Sequence, residues 1–467
     1  MPRPRRSPAF AFFCAYVAFV AYATMLPFQF FGDAASLRSK AHMINWDPRH
    51  LTSGEDTPLT DLVANVLFFI PVGFIGVHAQ RPRRPAVLIL RSAAAGFGLS
   101  ALVEIAQFFT PSRNPATSDV LTNTFGAALG AGLAVFVRTQ IESMVVRRTV
   151  AWTRREPLLP ILVAFALLMT VAALVPFDLA VSVSELRNAL RRAELDPRLS
   201  AWNWVGEIPH LLQFSVLAGL AWHVSRRLFG GGRVRRAAIS VAALGLFALG
   251  LEVAQLFVRS HVCSAVDAVA GLWGVAAGID VAAVLSKTGR LHYGWWLVGL
   301  ACFASLAVQA LAPFQFDFSA ATVRARITPN TLVPYSSYYY KATVAAVADF
   351  LDGLLAFVPL GFVLTRAWGT RRATDLGTGV RAALGCAAIA LGFELLQLGM
   401  PKRYPEVSDV LTAALGGGLG AFAWRWFASF GLPGVRTTAA VQGGAAEALP
   451  SARTLNPHPV CADTAAV

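Results

Sequence analysis

EIAQFFTPSRNPATSD (104–119) and ELLQLGMPKRYPEVSD (394–409) carry the same skeleton: Glu104, Gln107, Pro111, Arg113 and Asp119 stand at offsets 0, +3, +7, +9 and +15, as do Glu394, Gln397, Pro401, Arg403 and Asp409. Between them EVAQLFVRSHVCSAVD (252–267) keeps Glu252, Gln255 and Asp267 in register but places Arg259 at +7 and His261 at +9. Acidic residues are 26 of 467, so each +15 acid had roughly a one in twenty chance of standing there unselected. Self-similarity of this kind marks an internal repeat and is settled before fold class.

The flanks extend the repeat outward. Apolar segments end in Leu26-Pro27-Phe28, Val175-Pro176-Phe177 and Ala312-Pro313-Phe314, with the Pro lying 77, 76 and 81 residues before the respective Glu. An acid then precedes a second apolar segment: Asp61 before NVLFFIPVGF, Glu207 before HLLQFSVLAGL, Asp349 before LDGLLAFVPLGF. Each +15 Asp opens an apolar segment with Gly at +7 and +11, namely Gly126 and Gly130, Gly274 and Gly278, Gly416 and Gly420. Such Gly-x3-Gly pairs are close-packing faces between membrane helices. The units implied are 1–140, 150–288 and 289–430, each with four apolar segments, followed by a Gly-, Ala-, Thr- and Pro-rich stretch at 431–467 with too little apolar periodicity to pack.

Composition places these units in a bilayer. Hydrophobic residues are 56% and charged residues 14%, against about 25% charged in soluble chains. The expectation is an all-α integral membrane protein with about twelve transmembrane helices, arranged as parallel four-helix repeats. The N-terminal MPRPRRSP and the even-numbered connections are arginine-dense, as in QRPRRP and SRRLFGGGRVRR, whereas the Glu-to-Asp loops are not. Short basic loops stay cytoplasmic, which puts both termini inside a cell membrane and the Glu-to-Asp loops outside. Arg187, Arg191, Arg192 and Arg198 dissent, in a loop that also holds Asp178, Glu185, Glu194 and Asp196. Residues 9–26 resemble a signal peptide, but the equivalent segments before Pro176 and Pro313 are internal, so they are read as a resident span. The net charge of +14 reflects this topology and attraction to anionic headgroups, and implies no nucleic acid. The cysteines show no paired spacing, and no metal cluster or cofactor motif is visible.

An acid before N-V-L-x-F-I-P-x-G-F, then E-x2-Q-x3-P-x-R-x5-D, then a Gly-rich span, resembles the VanZ-like family of membrane proteins. The resemblance is strongest in the first and third units. In the middle unit Leu217 stands where Pro71 and Pro359 stand, alongside the Arg259 and His261 departures. The resemblance implies a cell-envelope role with a link to glycopeptide (teicoplanin) antibiotic resistance, and assigns no chemistry to any residue.

Glu104 and Gln107 are i and i+3, so they share a helix face, and the loop returns Asp119 beside them. One reading is an outward-facing pocket in which Arg113 or Arg403 recognises a phosphate or carboxylate while Glu104 or Glu394 acts as acid, base or acceptor. Candidate binding residues are Glu104, Gln107, Arg113, Asp119, Glu394, Gln397, Arg403, Asp409, Asp61, Asp349, Glu252 and Asp267, with membrane lipids or lipid-linked anionic precursors as partners. The bland reading makes Ser118-Asp119 and Ser408-Asp409 helix caps and the arginines interfacial anchors. His210, His223 and His261 share no ligand spacing. On the pocket reading the middle unit contributes least, and Glu394→Leu leaves the bundle as stable or more so. Alternatives are a membrane enzyme acting on a lipid phosphate or acyl group, a transporter, or a scaffold; no catalytic Ser or Cys with a His partner and no phosphate loop is visible.

Overall fold

The computed structural model describes residues 8–26, 28–42, 59–81, 83–111, 115–178, 180, 182–194, 204–228, 232–290, 293–341, 343–368 and 376–429. Arg113, the Asp61 side chain and the stretch 431–467 fall outside them.

Among the described residues the chain is helical, with one isolated bridge between Glu194 and Ser264. The helices are α1 (Pro8–Thr24), α2 (Ala34–Ala41), α3 (Leu59–Ala79), α4 (Pro85–Gln107), α5 (Thr117–Phe136), α6 (Glu142–Arg155), α7 (Leu159–Leu174), α8 (Val183–Arg192), α9 (Trp204–Leu228), α10 (Arg233–Gln255), α11 (Ala265–Lys287), α12 (Gly294–Leu311), α13 (Ala320–Arg326), α14 (Pro329–Leu332), α15 (Thr343–Trp368), α16 (Leu376–Gln397) and α17 (Val407–Ser429). Eight of them, α4, α5, α10, α11, α12, α15, α16 and α17, are long and apolar enough to cross a membrane, and α1, α3 and α7 carry shorter apolar stretches. By length and composition, eight of the expected twelve spans stand among the described residues. α9 falls outside both groups because Glu207, His210, Gln213 and His223 interrupt its apolar run. Leu102, Leu246 and Phe422 stand exposed on outer faces, as residues solvated by lipid do.

The tightest pairs are α3 with α5, α9 with α11 and α15 with α17. Their glycines meet the partner backbone directly: a Cβ on Gly130 would lie 1.9 Å from the Ile70 carbonyl oxygen, and one on Gly420 would lie 2.1 Å from that of Val358. In a bilayer, where lipid is as apolar as leucine, such close approach supplies the packing energy that holds helices together.

α12 packs against both α9 and α15, and α7 against α9 and α15, so the middle and third groups of helices share a wall. α1 reaches the third group through Phe19, 5.5 Å from the Tyr335 ring, and through the Tyr22 hydroxyl, which donates to the Pro334 carbonyl at 2.9 Å. At the ends of α1, α7 and α12 the chain turns through Phe28, Phe177 and Phe314, all at positive φ of 62°, 62° and 60°. Each turn feeds a short helix, α2, α8 or α13, capped at its N-terminus by Asp33, Ser182 or Ser319.

Candidate functional site

Each skeleton Glu sits in the last turn of its helix and reaches the start of the next one. Glu104 Oε2 accepts the Ala116 backbone N–H at 3.0 Å, Glu252 Oε2 that of Ser264 at 2.8 Å, and Glu394 Oε2 that of Glu406 at 2.7 Å. The receiving residue immediately precedes the first residue of α5, α11 or α17, where backbone donors lack intrahelical partners. The Glu therefore caps a neighbouring helix from outside it. This corrects the reading of Ser118 and Ser408 as caps: both lie inside the first turn, at the second helical position, and Asp119, Asp267 and Asp409 follow at the third. An acid there is favoured by the helix dipole.

The Gln at +3 ties the same point to the first helix of its group. Gln107, Gln255 and Gln397 donate Nε2 to the carbonyls of Thr24, Ala173 and Ala310 at 3.3, 3.4 and 3.1 Å. The +9 residue does likewise. Arg403 donates Nε to Ala312 O at 3.3 Å and Nη2 to Gln309 O at 2.9 Å, while His261 Nε2 lies 2.5 Å from Val175 O. Ala312 and Val175 each precede the Pro of the turn. Carbonyls at a helix C-terminus are orphaned, and a cationic or N–H side chain satisfies them, so His replaces Arg with the contact kept.

The +7 departure has a similar explanation. Lys40 Nζ donates to Pro111 O at 3.5 Å, Arg192 Nη2 to Arg259 O at 3.1 Å, and Arg326 Nη2 to Pro401 O. The position contributes a carbonyl, which any residue can supply. A backbone bond completes the join, from the N–H of Phe31, Ala180 and Asp317 to the carbonyls of Phe109, Phe257 and Gly399 at 2.8, 2.8 and 2.5 Å. Hydrogen bonds from Thr322 and Ser319 hold the Asp317 carboxyl below the usual carboxylate range.

The expected convergence of charged side chains takes a different form. Among the described residues no ion pair links Glu394, Arg403 and Asp409, because the first two are engaged by backbone. Asp349 pairs with Lys341 Nζ at 2.6 Å. Asp409 lies at the start of α17, over which Tyr335 docks by donating its N–H to Ser408 Oγ at 2.7 Å and sharing its hydroxyl with Thr412 Oγ1 at 3.2 Å. Burial pushes the Tyr335 phenol above its ordinary range. Asp119 is half-buried, with the Ser118 hydroxyl 3.3 Å away. Arg113 and the Asp61 side chain lie outside the described residues.

The middle skeleton borders a cavity of about 460 Å³ between α7, α9, α10 and α11 on one side and α12 and α15 on the other. Glu252, Gln255, His261 and Asp267 line it together with His210, Gln213, Gln309 and Asp352. His210 Nε2 stands 3.8 Å from Asp267 Oδ2. Gln255 is 8% exposed, and its Oε1 has no hydrogen-bond partner. Two of the three histidines that spacing left bland, His210 and His261, thus face the cavity, and His223 is not among its lining residues. A signal existed: Glu207, His210 and Gln213 recur every third residue, on one face of α9. The participation of Gln309 and Asp352 had none, since it depends on α12 docking on α9 and α15 on α7.

The family model VanZ/LLP1 matches residues 13–138 and again 296–428, more than half of the chain together. The stretch with Arg259 and His261 lies between the two matches. No curated protein and no solved structure matches the chain. The two matched stretches contain the skeletons that begin at Glu104 and Glu394, and on that basis this helical membrane protein belongs to the VanZ/LLP1 family.

Proposed function

We propose that this VanZ-family membrane protein binds an amphipathic lipid or lipid-linked precursor from the bilayer, in the cavity beside the middle skeleton. One observation carries the reading: along α9, α12 and α15 the polar lining residues lie a turn nearer the skeleton end than apolar ones, His210 before Phe214, Gln309 after Leu306 and Asp352 before Leu355. Phe165, Leu168, Phe214, Leu306 and Leu355 form an apolar part suited to a hydrocarbon chain, and Glu252, Gln255, His210, Asp267 and Asp352 form a polar part suited to a head. The skeletons at Glu104 and Glu394 serve on this reading as clamps that hold the ends of three helices together. A ligand held this way changes how envelope lipids are presented, which is where a glycopeptide link would arise.

Filling the cavity tests this. Ala356 lines it from α15, and Ala356→Trp should reduce photocrosslinking of a chain-labelled lipid to purified protein by about tenfold or more, with stability within about 2 kcal/mol of wild type. Unchanged crosslinking in a folded variant would defeat the assignment.

The proposal includes an orientation and an arrangement: three parallel four-helix units, both termini cytoplasmic, skeleton loops outside. Arginine distribution supports the first, and the recurrence of the same cap, Gln and short-helix contacts at three places supports the second. Cys263 is 9% exposed and makes a poor reporter. A cysteine placed at exposed Lys402 should react with an impermeant maleimide on intact cells, and one at Arg235 only after lysis. The reverse pattern would invert the topology.

A further inference from the structure

We infer that the head accepted by this cavity is a primary ammonium, an assignment that rests on the lipid-binding reading above and names the class of amphiphile. Four observations converge. The polar part of the wall carries three carboxylates, Glu252, Asp267 and Asp352, and among the described lining residues there is no Lys or Arg. The two arginines of the neighbouring skeleton loops are committed elsewhere: Arg403 to the Gln309 and Ala312 carbonyls, and Arg259 to Glu185 at 2.8 Å. Of the lining histidines, His261 is occupied by Val175 O and His210 stands 3.8 Å from Asp267 Oδ2, so neither faces Glu252 or Asp352 as a partner in a hydrogen bond or ion pair among the described residues. Gln255, more than nine-tenths buried with Nε2 given to Ala173 O, leaves its Oε1 acceptor unpartnered at the cavity.

A polar wall whose charged groups are mainly carboxylates, with an unpartnered acceptor on Gln255, calls for a cationic ligand that donates. A phosphate or carboxylate head would meet like charge there without an arginine to offset it, which in a low-dielectric site is strongly unfavourable. A quaternary ammonium has no N–H to give and is held by aromatic faces. The aromatic lining residues Phe165 and Phe214 belong to the apolar part, and no Trp or Tyr is among the described lining residues. A primary ammonium offers three donors and one positive charge, matching Gln255 Oε1 and the carboxylates with charge-assisted bonds. The apolar wall then takes the attached chain.

The test uses purified full-length protein in micelles and native mass spectrometry, with dodecylamine, dodecyltrimethylammonium, dodecanol and dodecyl phosphate offered at equal concentration. Dodecylamine should be bound about tenfold over each of the others. Asp352→Asn, which touches no helix cap, should cut that preference about fivefold while the protein stays folded and keeps binding dodecanol. Dodecyl phosphate bound as well as dodecylamine would overturn the ammonium assignment and leave lipid binding standing. Dodecyltrimethylammonium bound equally would overturn the hydrogen-bonding part of it. Free ethanolamine competing as well as dodecylamine would transfer the site to soluble amines and overturn the lipid reading instead. Absence of binding by every probe would overturn both.

Discussion

Gly420→Ala is expected to destabilise the protein by at least about 2 kcal/mol, a large effect for one added methyl group. The added Cβ would sit 2.1 Å from the Val358 carbonyl oxygen and 2.5 Å from the Phe362 backbone nitrogen, and neither atom can swing aside as a side-chain end could. α15 and α17 would have to move apart along their shared face, weakening dispersion contacts at every crossing point. Gly392→Ala is the matched control, since a Cβ there meets nothing within 4 Å. It should be neutral or slightly stabilising, because alanine has the higher helix propensity. Unfolding by added SDS in mixed micelles measures both. Gly420→Ala unfolding at the wild-type detergent fraction would mean the two backbones do not touch.

Glu394→Leu should cost about 1–3 kcal/mol, with Glu394→Gln nearly wild type. A carboxylate on an apolar helix is expensive, so leucine looks favourable from sequence. That expense falls on α16 whether or not it has docked with its neighbours, and so it largely cancels between the folded and dissociated states. What does not cancel is the Glu406 N–H, which Glu394 Oε2 accepts at 2.7 Å in the folded protein. Leucine leaves that donor at the start of α17 without its acceptor, whereas the amide oxygen of glutamine can still serve. The same detergent titration reads the difference. Leucine matching or exceeding wild type would show that the cap contributes nothing and return Glu394 to the pocket reading.

Much of this protein was legible in one dimension. Apolar runs near the span of a bilayer announce membrane helices because a chain in hydrocarbon must satisfy its backbone internally. The Gly pairs after each +15 Asp announced close-packed faces, since only a missing side chain lets two helices meet at the backbone, and Gly130 and Gly420 do so. The Glu, Gln and +9 positions were likewise visible as a repeated skeleton.

Their use was not visible, because sequence reports side chains and the skeleton's partners are mostly backbone. Glu104, Glu252 and Glu394 bind N–H groups twelve residues on, and the Gln and Arg or His bind carbonyls more than eighty residues back. A carbonyl has no residue identity, so a change at +7 reads as a lost motif while the contact through Arg259 O persists. For the same reason the middle stretch looked like the least capable part of the chain. It instead borders the cavity, whose far wall of Gln309 and Asp352 comes from helices that only tertiary packing brings to α9 and α7. Periodicity and length decided that these helices exist and which faces they bury; which helix ends meet, and what lies between them, was decided by hydrogen bonds to main-chain atoms, which are the same in every residue.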